Sequence, residues 1–225
     1  MIVVEKLAKY YGYNKAVDDL SFTVDRGEIL GFLGPNGAGK TTTMKMLTCY
    51  LPPSSGRATV FGYDIQADSM EVRRRIGYLP EKAPLYHDMK VADFLAFAGR
   101  LKGIAPGRLG SAMDEAIERC GLESVSGRTI GKLSKGYQQR VGIAQAIIHE
   151  PELLILDEPT IGLDPRQIID IRRLIKSLGE DRTVILSSHI LPEVNQLCNR
   201  VIIINSGSLV AVDTPDNLRD MLRKA

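Results

Sequence analysis

Cysteine is scarce, charge is balanced and long apolar runs are missing. The 225 residues hold three cysteines, Cys49, Cys120 and Cys198, far apart and without a CxxC pair. So sparse and odd a count excludes a disulfide scaffold and a cysteine metal site, and points to buried thiols in a reducing compartment. Basic and acidic residues number 29 and 27, a net charge of +2 that leaves no electrostatic footprint for nucleic acid. No apolar run approaches the roughly 18 residues of a membrane span. The opening MIVVEKLAKYYG has neither the apolar stretch nor the cleavage site of a secretory leader. A cytosolic chain is expected, and any membrane role would need a partner. Internal repeats, low-complexity tracts and heptad runs are missing too.

What is present suffices for a large domain, or for a core with a smaller lobe. IVVEKLAKYYG reads as an edge strand and turn, and alternation continues through LSFTV (20–24). EILGFLGPNGAGKTTTMKMLTCYL runs from a strand through a glycine-rich turn into a helix. RATVFGYD reads as another strand, and MEVRRRIGYLPEKAPLY ends in a proline-punctuated loop. From Val91 to about Ile148 the texture becomes helical: Val91, Phe94, Leu95, Ala98 and Leu101 recur at helical spacing, as do Met113, Ala116, Ile117 and Cys120. ELLILD (152–157), RTVILSS (182–188) and RVIIINSG (200–207) are short, almost continuously apolar runs, the first two separated by the helical pattern RQIIDIRRLIKSLG. Apolar strands alternating with helices imply a mostly parallel sheet covered on both faces. The expected fold is α/β, with core residues 1–86 and 151–225 and an inserted helical subdomain over 87–150.

The segment Gly34-Pro35-Asn36-Gly37-Ala38-Gly39-Lys40-Thr41 matches GxxxxGK[ST] between a strand and a helix, the context that this phosphate-binding loop requires. Its glycines let backbone N–H groups converge on phosphate oxygens, and the helix N-terminus adds its own donors. Lys40 is expected to reach the β- and γ-phosphates, Thr41 to ligate Mg²⁺, and Thr42 to bond an α-phosphate oxygen. A glycine-rich surface turn with a chance Lys-Thr would leave the entropic cost of three glycines without a purpose.

LLILDEP sets Asp157 at the carboxyl end of a buried strand, the edge where such sheets bind ligands. A carboxylate there can hold Mg²⁺ through water, and Glu158 can polarise a water against the γ-phosphorus. His189 follows RTVILSS at another strand end, where it can bond the γ-phosphate and sense its loss. The nonapeptide KLSKGYQQR (132–140) is rich in donors and holds no acid, which suits a helix start that waits for an anion.

Together these segments resemble the nucleotide-binding subunit of an ATP-binding cassette (ABC) transporter over nearly the whole chain. LSKGYQQR is similar to the family's signature segment, usually LSGGQ, with Ser134 and Gly136 retained, Lys135 at the first signature glycine and Tyr137 at the glutamine. GLDP (162–165) resembles its dimer-contacting loop, and His189 its switch histidine. Tyr11 matches the aromatic that stacks on adenine, although Tyr10 beside it competes for that place and one of the pair only packs. Glu81 in GYLPEKAPLY falls where most members carry glutamine, a position that touches Mg²⁺ and the attacking water; LPE at this point is similar to bacterial and archaeal exporter ATPases of the multidrug and gliding-motility type.

The resemblance implies a P-loop NTPase core with an N-terminal antiparallel β-subdomain. It implies ATP hydrolysis with Mg²⁺ in a head-to-tail dimer, formed with a second copy or a homologous subunit, in which Ser134 and Gly136 of one chain cap the ATP held by the other. A polytopic permease is the other implied partner, placing the chain on the inner face of the membrane, with no nucleic acid involved. A soluble ATPase of the same superfamily, acting on nucleic acid or the ribosome, is the alternative. Such machines usually show paired cassettes, a zinc-cysteine insertion or long coiled coils.

Overall fold

The computed structural model describes residues 1–217; the last eight residues of the expected core fall outside them. Strands β1 (Ile2–Tyr11), β2 (Asn14–Val24), β4 (Ser55–Val60) and β5 (Tyr63–Asp64) form an antiparallel sheet ordered β2-β1-β4-β5. Strands β3 (Ile29–Leu33), β6 (Ile76–Leu79), β7 (Leu153–Asp157), β8 (Thr183–Ser188), β9 (Arg200–Asn205) and β10 (Ser208–Asp213) form a second sheet ordered β10-β9-β3-β8-β7-β6. Its pairs are parallel except the β9–β10 hairpin. The helices are α1 (Lys40–Leu47), α2 (Ser69–Arg75), α3 (Val91–Leu101), α4 (Pro106–Arg119), α5 (Lys135–Ile147), α6 (Pro165–Gly179) and α7 (Leu191–Leu197). This is the P-loop NTPase fold, with an antiparallel β-subdomain and an inserted helical subdomain built from α3, α4 and α5.

Two cores follow from the alternation of side chains along the parallel strands. Leu30, Phe32, Leu153, Ile155, Ile185 and Ile202 face α1 and the antiparallel sheet, where Val4, Leu20 and Met44 meet them. Phe22 stacks edge-on against Phe32 across this layer, with ring centroids 5.2 Å apart. Leu154, Leu156, Val184, Leu186 and Val201 face the opposite way, toward α5, α6 and α7. Being buried on both faces explains why LLILD reads as an unbroken apolar run.

The crossover helix α6 shows why the chain turns where it does. Asp164 caps it by accepting from Gln167 N at 3.0 Å, and Pro165 occupies the first turn, where its missing N–H costs nothing. Ile171, Leu174, Ile175 and Leu178 form its buried stripe.

One expectation is corrected, and one strand was not foreseen. β1 is not an edge strand: it pairs β2 on one side and β4 on the other, because both of its neighbours return antiparallel to it. MEVRRRIGYLPEKAPLY (70–86) does end in a loop, but ahead of it lie most of α2 and then β6, whose four residues pair in parallel with β7. Gly77 explains why so short a strand fits: a Cβ there would overlap the carbonyl of Ala146 in α5 and sit 3.0 Å from Pro151 Cγ. Gly77→Ala is therefore expected to cost roughly 1–3 kcal/mol by overpacking, which for a chain of this size lowers the melting temperature by about 3–10 °C. Thermal unfolding of the variant checks this, and an unchanged midpoint would show that α5 yields freely.

Candidate functional site: a nucleotide-triphosphate cleft

The phosphate loop leaves β3 at Gly34 and enters α1 at Lys40. Gly37 (φ 80°) and Gly39 (φ 103°) adopt left-handed backbone that other residues resist. Gly34 serves differently: its φ is not positive, but a Cβ would overlap the carbonyl of Ile204. The β9–β10 hairpin straps the loop, Gly207 N donating to Ala38 O at 3.0 Å. Lys40 is 6% exposed, and its Nζ donates to Gly34 O at 2.7 Å and Pro35 O at 3.2 Å, so the loop's own carbonyls hold the charge in place.

The acidic pair is built by β7 and its neighbour β8. Ser187, opposite Asp157 in the register, donates to Asp157 Oδ1 at 2.6 Å and accepts from Glu158 N at 2.9 Å. One hydroxyl thus holds the Asp157 carboxylate and the backbone of Glu158. Glu158 has φ 49°, strained for a non-glycine residue, which redirects the chain just past the strand. Its Oε1 lies 3.2 Å from Lys40 Nζ, an ion-pair contact without hydrogen-bond alignment, and both side chains are about 7% exposed or less. Its Oε2 lies 2.9 Å from His189 Nδ1. A carboxylate only accepts, so Nδ1 carries the proton and Nε2 is left for another partner.

Tyr11, Asn36 to Thr42, Glu81 and Glu158 line one cleft of about 650 Å³, together with Asn14, Lys15, Ala16, Ile161 and Ser206. Of the two tyrosines, Tyr11 faces the cleft with Lys9 Nζ 5.7 Å above its ring, while the Tyr10 hydroxyl bonds Asp18. Ser134 and Gly136 do not line it. Ser134 caps α5, its Oγ accepting from Tyr137 N at 3.4 Å.

The donors of KLSKGYQQR are not all waiting for an anion, which corrects the reading of that segment. Gln138 donates to Ile130 O and Leu133 O, Gln139 to Pro159 O, and Arg140 to Cys120 O. These side chains hold α5 to its surroundings, and what the segment still offers outward is the tip at Ser134 and Lys135, with Gly136 buried behind it against Gln167. His149, just beyond α5, bonds Ile76 O at 3.1 Å; burial pushes its pKa down to about 4, so it is neutral.

Sequence reasoning missed Ser187, Ser206 and the β2 residues of the cleft. Ser187 sits in a strand that reads as apolar, and its pairing with β7 is not a local pattern. The adjacent serines of RTVILSSH, polar where the buried run ends, were the available signal.

The site suits Mg²⁺. Asp157 is fully buried, yet its Oδ2 has no hydrogen-bond partner, and a buried carboxylate oxygen without a donor calls for a cation. Asp157, Thr41 and Glu81 offer hard oxygen donors, and no cluster of three His, Cys, Asp or Glu ligands occurs among the described residues. A magnesium ion held by few side chains, waters and substrate phosphates has these requirements.

A glycine loop, a buried lysine and an acidic pair at the carboxyl edge of a parallel sheet define a nucleoside-triphosphate pocket. Comparison with known proteins identifies the family. Residues 17–161 match the ABC transporter family. The bacitracin transport ATP-binding protein BcrA of Bacillus licheniformis is 43% identical over 226 residues, covering 100% of this chain and 73% of that protein. The linearmycin resistance ATP-binding protein LnrL of Bacillus subtilis is 38% identical, covering 97% and 70%. A solved ATP-binding subunit of an ABC transporter superposes with a TM-score of 0.86 at 29% identity, over 99% of this chain and 93% of that one. The chain belongs to the ABC transporter family. It is an ATP-binding, ATP-hydrolysing subunit related to antibiotic-resistance and multidrug ATPases.

Proposed function

We propose that this chain powers export of an antibiotic or drug-like compound by closing onto a second copy of itself, or a homologous subunit, around ATP. The observation that carries the dimer reading is the placement of α5. Its capped tip, with the first-turn N–H groups of Lys135 and Gly136 that lack intrahelical acceptors, lies outside the chain's own cleft. A partner's tip then completes the anion site, supplying donors and helix dipole to the γ-phosphate. The names of the relatives, bacitracin transport and linearmycin resistance, support the exporter reading.

In this reading Tyr11 stacks on adenine, the loop 34–39 cradles the phosphates and Thr42 bonds an α-phosphate oxygen. Thr41, Asp157 and Glu81 hold Mg²⁺, which neutralises charge on the phosphate oxygens when bound. An arriving γ-phosphate competes with Glu158 for Lys40 and frees the carboxylate. Glu158 then takes a proton from the attacking water as its oxygen bonds the γ-phosphorus and the bond to the β-phosphate oxygen breaks, releasing ADP and phosphate. His189 stays oriented by Glu158 and turns its free edge toward the γ-phosphate. ADP and phosphate repel one another, and the pair opens.

Among the described residues no helix is long and apolar enough to cross a membrane. The permease supplies the spans, and the chain lies on the inner face of the membrane, with the helical subdomain over 87–150 and the loop from Glu81 to Tyr86 turned toward its partner. Co-purification with a polytopic membrane protein checks this placement.

The decisive test uses Ser134→Ala. Steady-state ATPase activity is expected to fall at least tenfold and to depend on the square of protein concentration when dilute, while ATP affinity of the monomer stays within about threefold, since the hydroxyl serves the partner's site. A large loss of monomer affinity would put Ser134 in its own cleft and refute the dimer.

A further inference from the structure

Glu193 is 3% exposed although it belongs to α7, a short helix of seven residues. Its Oε2 accepts from two buried hydroxyls, Thr160 Oγ1 at 2.7 Å and Ser188 Oγ at 2.9 Å. Its Oε1 lies 3.5 Å from a guanidinium nitrogen of Arg172 on α6. Ser188 Oγ in turn accepts from Ile190 N at 3.0 Å.

The positions of these partners in the chain matter more than their number. Thr160 lies two residues beyond Glu158, on the turn that the strained backbone of Glu158 begins. Ser188 and Ile190 flank His189. A single carboxylate oxygen therefore ties together the two turns that carry Glu158 and His189, and those side chains meet at 2.9 Å. Filling this space with an apolar residue would avoid the desolvation that a buried carboxylate incurs. A leucine, however, could not hold two hydroxyls on one point.

We propose that Glu193 is a positioning residue of the ATPase: by gathering Thr160 and Ser188 on one oxygen, it sets the separation of the two turns at which His189 engages Glu158. The inference rests on the roles given above to Glu158 and His189. Glu193 is buried outside the cleft lining and acts through those turns. Misplacing a reacting group by about 1 Å costs on the order of a hundredfold in rate, and loss of an orienting partner behind a functional side chain typically costs roughly 10- to 100-fold.

The test is steady-state ATPase kinetics on the full chain carrying Glu193→Ala, Glu193→Gln, Ser188→Ala and His189→Ala, alone and with His189→Ala combined with each of the others. Glu193→Ala should lower kcat by about 10- to 100-fold with KM for ATP changed less than about threefold. Glu193→Gln keeps an oxygen for the two hydroxyls and should restore most of the turnover. In the His189→Ala background, Glu193→Ala should add less than about a twofold loss, because its effect passes through the histidine. Full additivity in that background would mark a merely structural role and overturn the proposal, as would parent-like turnover of Glu193→Ala. Should Glu193→Ala fail to fold, Ser188→Ala decides by the same comparison: a loss that vanishes in the His189→Ala background supports the proposal, and an undiminished loss overturns it. If His189→Ala alone turns over at the parent rate, the reading of the site itself fails and takes this inference with it. A slow His189→Ala beside parent-like Glu193→Ala and Ser188→Ala sinks the inference alone.

Discussion

Glu158→Gln is expected to lower ATP turnover by about 10²- to 10⁴-fold, the range that a positioned general base supplies, or roughly 3–5 kcal/mol of barrier. Binding should survive, for reasons visible in the contacts. The amide has the carboxylate's shape and retains an oxygen for His189 Nδ1, which the acid contacts at 2.9 Å. Lys40 loses an anion 3.2 Å away but keeps Gly34 O and Pro35 O as acceptors. A lysine relieved of its internal carboxylate is freer to bind phosphate, so ATP affinity should be equal to the parent's or higher. With hydrolysis stalled, ATP stays between the two subunits, and gel filtration with ATP and Mg²⁺ should show a dimer that the parent does not sustain. Turnover by the variant at the parent rate would remove Glu158 from the reaction.

How much of this site the sequence revealed depends on how local each part is. The phosphate loop is written in eight consecutive residues, and its strand-to-helix context in the dozen around them, so Gly34 to Thr41 could be read directly. Asp157 and Glu158 were legible because an apolar strand ends in acids at the edge where ligands bind. The brace that holds them was not, since Ser187 lies 30 residues beyond Asp157 and meets it only through the parallel pairing of β7 with β8. β6 was lost for a related reason: four residues followed by a proline carry too little periodicity, and what makes them a strand is a neighbour about 77 residues away. Tyr10 and Tyr11 alternate in β1, so the pattern places them on opposite faces without telling which face meets the phosphate loop. KLSKGYQQR was misjudged in part because a polar side chain has the same letter whether it waits for a ligand or already grips a carbonyl, as Gln139 grips Pro159 O at 2.8 Å.

Lys40→Ala should reverse the pattern of Glu158→Gln by striking affinity first. The ammonium is 6% exposed and serves three partners, two loop carbonyls and the Glu158 carboxylate. Truncation removes a charge-assisted bond to phosphate and also leaves Glu158 as an unpaired anion beside the phosphate seat. Each effect opposes ATP, and breaking a buried pair by removing one partner costs about 3–5 kcal/mol. Part of that cost falls on the empty protein as well as on the complex, so ATP affinity is expected to drop by roughly a hundredfold, about 3 kcal/mol, as measured by titrating nucleotide onto the isolated subunit. The double substitution Lys40→Ala with Glu158→Gln separates the two effects. Removing the repelling carboxylate should recover about five- to tenfold of the lost affinity while turnover stays absent, a coupling of roughly 1 kcal/mol in a double-mutant cycle. Equal affinities of the single and double variants would mean that Glu158 leaves the phosphate seat whether or not Lys40 is present. Parent-like binding by Lys40→Ala would place the γ-phosphate elsewhere in the cleft.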